Sequence, residues 1–323
     1  MSLGSFTGVE VLLVKPNVID TIYAEKKISI DQVDIQNPTK ISSRNWREYP
    51  NLFVVLSSFT SGQKTTALAR VSSDAKHLHL LKDYSKSSIS GLRPRNKEQN
   101  MLLNTLMDDS VSCQVITGKA GSGKTLCTIA AAFQRVFEDK ESPYSNIILT
   151  RPMDPVGRTG LGALPGDANE KFTPYLVNFF SNFSFLFGKN GMDYLQTMVE
   201  KGQIQCIPIQ LIGGASFSSS FIIADEIQSL NEDEMYALGT RAGEDSKLVL
   251  MGDYRQRYGK KINANKTGLY KLMNSPFMKR SSFTSAIELI KQERSPVAGL
   301  FTSIFDEEIP QRIREPLTKE IAV

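Results

Sequence analysis

The chain has 323 residues, of which 41% are hydrophobic and 22% are charged. This composition excludes intrinsic disorder and fibrous or collagen-like architectures. The formal net charge of +4 permits nucleic-acid binding through local patches but does not require it. The sequence contains neither an apolar run of about 18 residues nor a secretory leader pattern, so we expect a cytoplasmic location and no membrane partner.

The N-terminal part of the chain differs in pattern from the rest. Short β-branched runs precede residue 85, and a polar stretch of small residues follows at 85–91. We therefore predict a small β-rich module at 1–85, with one short helix at 16–25, a linker at 86–98 and a larger domain at 99–323. His77 and His79 share one face of a predicted strand, where a solvated surface is favoured over metal binding because no further ligand cluster lies nearby.

The larger domain alternates apolar strands with helices. Five apolar runs lack polar alternation, which is typical of strands buried on both faces of a parallel sheet. These runs lie at 111–117, 146–150, 220–225, 247–253 and 282–289. A helix-rich segment at 126–140 separates the first two runs. The pattern predicts an α/β fold with a mostly parallel sheet and a ligand site at the carboxyl ends of the strands. The three cysteines have no CxxC spacing and are expected to be small buried apolar side chains.

One segment matches a phosphate-binding loop at every fixed position of GxxxxGK[ST] and lies between a predicted strand and a predicted helix. Its glycines let backbone N–H groups wrap around phosphates. We expect Lys124 to neutralise the β- and γ-phosphates and the Thr125 hydroxyl to bind Mg²⁺. A Gly/Ser-rich connector is the alternative. The nucleotide-binding residues predicted from this loop are Gly118, Lys119, Ala120, Gly121, Ser122, Gly123, Lys124 and Thr125.

Two further strand ends carry polar residues suited to phosphate chemistry. Asp225 follows an apolar strand and is expected to hold Mg²⁺ through water, while Glu226 is expected to act as the general base for an attacking water. Gln228 completes a DExQ pattern. Gln256 lies in a GDxxQ pattern after the next strand, where it is expected to sense the γ-phosphate, the alternative being an ordinary turn.

The order of these motifs resembles the cores of superfamily 1 helicases and is most similar to the PhoH-like ATPase family. Over residues 91–310, the further matching segments are Thr150 to Pro152, Leu161 to Asp167, Lys171, Pro174 with Tyr175, and Thr240 to Gly243. The resemblance implies a RecA-like P-loop NTPase core after the β-rich module, with ATP and Mg²⁺ as ligands. It also implies that Gln99 recognises adenine and that Arg294 stabilises γ-phosphate charge.

The chain also departs from the family pattern. At 212–216, where the family carries an arginine-rich turn, both arginines are absent, which leaves their phosphate or RNA contacts without a counterpart. Longer family members carry a PIN nuclease domain, and residues 6–90 resemble the spacer that follows it, so no nuclease activity is expected. The aromatic run at 178–187 has the spacing of a buried helix face and is expected to pack in the core rather than stack on bases.

The leading functional hypothesis is an ATPase coupled to RNA or single-stranded nucleic acid, with helicase activity as one outcome. Arg151, Arg158 and Lys171 are the candidate nucleic-acid contacts, in a loop that is otherwise a structural crossover. The alternatives are a nucleotide-dependent switch without unwinding and, less favoured, a P-loop kinase. One lobe needs a neighbour, so we expect a homo-oligomer, most simply a ring of six, with Arg241 or Arg294 as an arginine finger.

Overall fold

A computed structural model describes two β-sheets and the helices that cover the larger one. The predicted helix at 16–25 and His77 lie outside the described part of the chain. The described residues are 9–12, 29–30, 49–60, 63–76, 78–152, 177–188, 191–253, 267–293, 297 and 300.

The smaller sheet is N-terminal and antiparallel, with the strand order β2-β1-β3-β4-β5. It confirms the predicted β-rich module. His79 is exposed on the last of these strands, as expected for a solvated strand face. The strands are β1 (Val9–Leu12), β2 (Ser29–Ile30), β3 (Phe53–Thr60), β4 (Gln63–Val71) and β5 (Leu78–Leu80).

The larger sheet is parallel throughout, with the strand order β11-β6-β10-β9-β7-β8. The five predicted apolar runs supply five of these strands, and the α/β prediction is confirmed. The sixth, β8, has only three residues at the sheet edge and carries no pattern from which it could be predicted. The strands are β6 (Cys113–Gly118), β7 (Asn146–Thr150), β8 (Ile204–Cys206), β9 (Ser220–Ala224), β10 (Lys247–Gly252) and β11 (Thr284–Leu289).

Helices cover both faces of the parallel sheet, which accounts for the uninterrupted apolar strands. Along β10, Val249 packs into one hydrophobic cluster while Leu248 and Leu250 pack into the other, because successive side chains point to opposite faces. None of the described helices is long and apolar enough to cross a membrane. The described α-helices are α1 (Lys97–Leu106), α2 (Lys124–Phe133), α3 (Val177–Phe187), α4 (Gly191–Glu200), α5 (Glu232–Gly239), α6 (Gly268–Asn274) and α7 (Pro276–Arg280).

The strand register brings the carboxyl ends of the central strands to one edge of the sheet. Ala224 at the end of β9 pairs with Thr150 at the end of β7. On the other side, Gly118 at the end of β6 pairs with Leu289 at the end of β11. Residues that follow these strands are therefore neighbours in space, which is the arrangement that places a ligand site in an open α/β sheet.

The smaller sheet packs against the domain that contains the parallel sheet. Val54 and Leu102 belong to the same hydrophobic cluster, and Asn51 Nδ2 donates a 2.9 Å hydrogen bond to the carbonyl oxygen of Thr284 at the start of β11. Arg70 of β4 forms an ion pair with Asp108, just beyond α1. The two sheets thus share one hydrophobic cluster, while the predicted boundary at 86–98 stays a prediction.

A buried lysine anchors the carboxyl end of α1 to the sheet. Lys247 donates from Nζ to the carbonyl oxygens of Thr105 (2.9 Å) and Asp108 (2.8 Å). Burial lowers the pKa of Lys247 to about 7, because transfer from water disfavours the charged ammonium. A neutral amine keeps two N–H donors for these two carbonyls, so α1 stays tied to β10 in either protonation state.

Candidate active site

The loop between β6 and α2 has the backbone that its glycines predict. Gly123 has φ of 94°, and a β-carbon at this position would lie 2.7 Å from Gln99 Nε2. Gly118 has φ of 145°, and a β-carbon there would lie 2.5 Å from the Leu289 carbonyl oxygen. Gly123 is also the N-cap of α2 and has no side chain that could cap the first-turn amides of the helix. These amides and the helix dipole favour an anion at this point.

A cavity of about 190 Å³ lies at this end of α2. It is bounded by the carboxyl-end segments of three parallel strands, as the α/β pattern predicts. Its wall contains residues of the loop and α2, the carboxyl-end pairs of β9 and β10, and two asparagines of α3. These residues are Ala120, Gly121, Gly123, Lys124, Thr125, Leu126, Asp225, Glu226, Gly252, Asp253, Asn178 and Asn182.

Lys124 lies in the cavity wall with its charge held by the loop itself. Its Nζ donates to the carbonyl oxygens of Gly118 (2.6 Å) and Lys119 (3.2 Å). These hydrogen bonds keep the ammonium at the mouth of the loop. A lysine in this place can balance negative charge on a phosphate without moving far.

Asp225 is the buried carboxylate of the site, with 3% of its surface exposed. Its Oδ2 accepts a 3.2 Å hydrogen bond from the Thr125 hydroxyl, and its Oδ1 accepts one of 2.9 Å from the Glu226 amide. Burial, followed by the negative charge of Glu226, raises the pKa of Asp225, while Lys124 and Arg151 act in the opposite direction. A cation beside Asp225 would stabilise its ionised form.

Glu226 follows directly and has an unusual backbone. Its φ of 57° is in the left-handed region, which is uncommon for a residue with a β-carbon and frequent at functional sites. Gln228 Nε2 donates to Glu226 Oε2 at 2.5 Å, and Gln228 Oε1 accepts from the Asp253 amide at 3.1 Å. The glutamine of the DExQ pattern therefore joins the ends of β9 and β10.

Gln99 lies behind the loop rather than on a free surface. Its Nε2 donates to the Ser122 carbonyl oxygen at 3.0 Å, and its Oε1 accepts from the Arg95 amide at 2.8 Å. The side-chain amide retains one N–H and one oxygen lone pair beyond these two bonds. Adenine recognition by Gln99 stays a prediction.

Two asparagines on α3 reach the site and were missed by sequence reasoning. Asn178 Nδ2 lies 3.4 Å from Asp225 Oδ2, and Asn182 Nδ2 donates to Asn178 Oδ1 at 3.2 Å. They occur in the aromatic run, where Phe179 and Phe183 are fully buried as expected, whereas Phe185 is exposed, contrary to the expectation for the whole run. The available signal was the four-residue spacing of the asparagines, which places both on one face of a helix.

The predicted arginines have different positions. Arg151 directly follows β7, and its charge is close enough to lower the pKa of Asp225, so this residue lies near the phosphate-binding end. Arg241 instead donates to the carbonyl oxygens of Ala237 and Ala215, both at 3.2 Å. Ala215 belongs to the turn at 212–216 that lacks the family's arginines, so Arg241 stabilises that turn from within the chain. Gln256, Arg294, Arg158 and Lys171 lie outside the described residues.

Sequence comparison identifies relatives over most of the chain. Protein PhoH2 of Bacillus subtilis is 30% identical over 305 residues, which cover 91% of this chain and 63% of that protein. Protein PhoH2 of Mycolicibacterium smegmatis is 28% identical, covering 95% of this chain and 64% of that protein. The chain thus spans less than two thirds of the length of these relatives.

Comparison with solved structures finds helicases. A Pif1 helicase from Bacteroides in complex with ADP-AlF3 and single-stranded DNA aligns with 66% of this chain and 46% of its own, at 15% identity and a TM-score of 0.32. The Pif1 helicase of Candida albicans aligns with 72% of this chain and 50% of its own, at 16% identity and a TM-score of 0.33.

The family model described as PhoH-like protein matches residues 91–306. This range contains the phosphate-binding loop, the carboxylates after β9 and the whole parallel sheet. The match covers well over half of the chain and agrees with the motif order read from the sequence. The chain belongs to the PhoH-like protein family.

Proposed function

We propose that this chain binds ATP with Mg²⁺ at the cavity beside α2 and hydrolyses it. The observation that carries the proposal is the 3.2 Å hydrogen bond between Thr125 Oγ1 and Asp225 Oδ2. It joins the phosphate-binding loop to the strand end that bears Glu226. A hydroxyl, a buried carboxylate and an adjacent second carboxylate are the groups that nucleoside-triphosphate hydrolysis needs at this position.

The donor set suits Mg²⁺. Thr125 and Asp225 offer hydroxyl and carboxylate oxygens, which are the ligand atoms this ion prefers. The raised pKa of Asp225 reflects a buried carboxylate that a nearby cation would stabilise. Thr125 and Asp225 would hold the ion, which when bound supplies charge neutralisation of the phosphates.

The remaining side chains have separate tasks in this proposal. Lys124 balances phosphate charge at the loop mouth, and Glu226 accepts the proton of the attacking water. The hydrogen bond from Gln228 holds one carboxylate oxygen of Glu226 and leaves its other oxygen for that proton. Gln256 as γ-phosphate sensor and Arg294 as charge-stabilising residue belong to the proposal through their motif positions.

Adenine recognition by Gln99 makes a prediction about base selectivity. Gln99→Ala should raise the KM for ATP and erode discrimination against GTP by about 1–3 kcal/mol, because one glutamine amide can pair with both N6 and N7 of adenine. Steady-state kinetics with both nucleotides measure this. Equal use of ATP and GTP by the wild type would contradict adenine recognition, and an equal loss with both nucleotides in the variant would assign Gln99 to the loop backbone alone.

Coupling to RNA or single-stranded nucleic acid is the second part of the proposal. Arg151 supports it, because its charge lies near the phosphate-binding end at the start of the predicted contact loop. Single-stranded RNA or DNA should stimulate ATP turnover in a salt-sensitive manner, and Arg158→Ala or Lys171→Ala should weaken this stimulation while basal turnover survives. Turnover measured with single strands and duplexes tests this, with the exposed Lys201→Ala as control. Stimulation that is unchanged in both loop variants would place the contact surface elsewhere.

A nucleotide-dependent switch is the second candidate, and the Gln228 bridge favours it. Gln228 contacts Glu226 at one strand end and the Asp253 amide at the next, so a change at Glu226 would be transmitted to the segment that follows β10. A switch would change its affinity for single strands between ATP and ADP without unwinding a duplex. A kinase would instead transfer phosphate to an acceptor, and phosphate release without any acceptor excludes that class.

Homo-oligomerisation, most simply in a ring of six, completes the proposal. The described parallel sheet forms one lobe, and strand movement by closure of two lobes would need a neighbouring subunit. The hydrogen bonds of Arg241 to Ala237 and Ala215 would have to be exchanged if it acted in a neighbour's site. Light scattering at the assay concentration tests the assembly, and a strictly monomeric active enzyme would exclude the ring.

A further inference from the structure

Three consecutive carbonyl groups of the phosphate-binding loop accept hydrogen bonds from outside the loop. The Ala120 oxygen accepts from Gln292 Nε2 at 3.4 Å, the Gly121 oxygen from the Glu293 amide at 3.0 Å, and the Ser122 oxygen from Gln99 Nε2 at 3.0 Å. The donors come from two places far apart in sequence, the start of α1 and the segment that follows β11. The loop is therefore held by hydrogen bonds along one side.

The start of α1 and the segment that follows β11 are also hydrogen-bonded to each other. Asn96 Nδ2 donates to Glu293 Oε1 at 3.2 Å, while Asn96 Oδ1 caps α1 by accepting from the Gln99 amide at 2.9 Å. The hydrogen bond from Asn96 Nδ2 lowers the pKa of Glu293, and so does the ammonium of Lys291, which lies 3.2 Å from Glu293 Oε1. The Glu293 carboxylate is therefore ionised at neutral pH and is a strong acceptor for Asn96.

The hydrogen bonds to the loop carbonyl groups determine the direction of the loop amides. In a planar trans peptide the N–H points opposite to the C=O. When the Ala120 and Ser122 oxygens point toward Gln292 and Gln99, the N–H groups of Gly121 and Gly123 point the other way. Both glycines line the cavity. Their amides are thus aimed by side chains that have no place in the cavity wall.

We infer that Asn96, Gln99, Gln292 and Glu293 form a loop clamp that presets the peptide groups of the phosphate-binding loop for triphosphate. Asn96, Gln292 and Glu293 are positioning residues, and Gln99 has this task in addition to its proposed contact with adenine. The inference rests on the proposed function, since it concerns the same nucleotide site. The bond between Asn96 and Glu293 is the part that joins the two halves of the clamp. Preset donors bind tightly because they need no rearrangement when the ligand arrives.

The Asn96–Glu293 bond can be broken and restored without removing the helix cap. Asn96→Asp keeps a capping oxygen for the Gln99 amide but sets a carboxylate against that of Glu293. Glu293→Gln keeps an oxygen that can accept from Asn96. In the double variant, the amide introduced at position 293 can donate to the carboxylate introduced at position 96. Each variant therefore has a defined expected state of the clamp.

Calorimetric titration of the full chain with Mg-ATP tests the clamp. Asn96→Asp should weaken binding by about tenfold, Glu293→Gln should stay within about twofold of the wild type, and the double variant should recover most of the loss. Thermal unfolding of each variant verifies that the fold is retained. The matched control is Asn104→Asp, which removes amide donors to the Lys82 and Asn100 carbonyl oxygens from the same helix but leaves the hydrogen bonds of the clamp in place.

The outcomes separate the clamp from the proposed function. If the wild type binds Mg-ATP and Asn96→Asp binds equally well, the clamp is wrong and the nucleotide site stands. A loss in Asn96→Asp that the double variant does not recover would also contradict the clamp, because a general disturbance of α1 is not repaired at position 293. If the wild type binds no nucleotide, the proposed function and the clamp are both overturned.

Discussion

Replacement of Lys124 by alanine is expected to lower the affinity for Mg-ATP by at least about 100-fold. Charge-assisted hydrogen bonds are worth about 1.5–3 kcal/mol each, and a lysine on the phosphates makes more than one of them. Lys124 lies in the cavity wall, and its ammonium is already held at the loop mouth by the Gly118 and Lys119 carbonyl oxygens. Calorimetry with Mg-ATP measures the effect.

The control for this variant is Lys140→Ala, which removes an exposed lysine outside the cavity and should leave binding unchanged. Circular dichroism separates a loss of affinity from a loss of fold. An affinity in Lys124→Ala within about threefold of the wild type would remove the phosphate-binding role from this loop, since threefold corresponds to less than 1 kcal/mol.

Replacement of Glu226 by glutamine is expected to have the opposite profile, with nucleotide binding kept and turnover lowered by about 10²–10⁴-fold. General-base catalysis contributes a factor of this size, and an amide cannot take the proton of water. The introduced amide oxygen can still accept the hydrogen bond from Gln228, so the connection to Asp253 survives. Single-turnover phosphate release, together with titration of ATP, distinguishes the two parameters.

A matched change at an exposed glutamate, Glu141→Gln, should leave both parameters unchanged. The phenotypes of the Lys124 and Glu226 variants must differ if the two residues have separate tasks. Unaltered turnover in Glu226→Gln would exclude Glu226 as the general base and leave Asp225 as the only carboxylate of the site with an assigned task.

The part of the site that could be predicted consists of residues that lie in contiguous sequence motifs. The phosphate-binding loop depends on glycines and a lysine within eight residues, and the paired carboxylates directly follow a strand whose five residues are all buried. Parallel strands bring their carboxyl ends together, so two separate motifs predict one cavity. The fold class was predictable for the same reason, because strands buried on both faces have a distinctive apolar pattern.

The parts that could not be predicted depend on contacts between distant segments. Asn96 and Glu293 are 197 residues apart, and neither belongs to a motif that predicts a contact with the other. The tertiary fold alone brings α1 and the segment after β11 to the same side of the loop. Gln99 was predicted to recognise adenine from its motif position, but its bond to the Ser122 carbonyl oxygen depends on how α1 packs.

Packing also decides the positions of residues that look equivalent in sequence. Arg151 and Arg241 each lie in a motif with glycine or proline nearby, and nothing local separates them. The register of β7 against β9 brings Arg151 near Asp225, whereas Arg241 follows α5 and turns back to the carbonyl oxygens of Ala237 and Ala215. The lysine at 247 looks like a surface residue in sequence, but it is fully buried because β10 begins beneath α1.

The most direct test of the proposed site is release of inorganic phosphate from ATP by the purified wild-type chain, measured with Mg²⁺ and with EDTA. If Mg²⁺ binds at Thr125 and Asp225, phosphate release requires Mg²⁺, stops with EDTA and is lost in Glu226→Gln. Release that continues undiminished in EDTA, or the absence of release with Mg²⁺ both without and with single-stranded RNA, would contradict it.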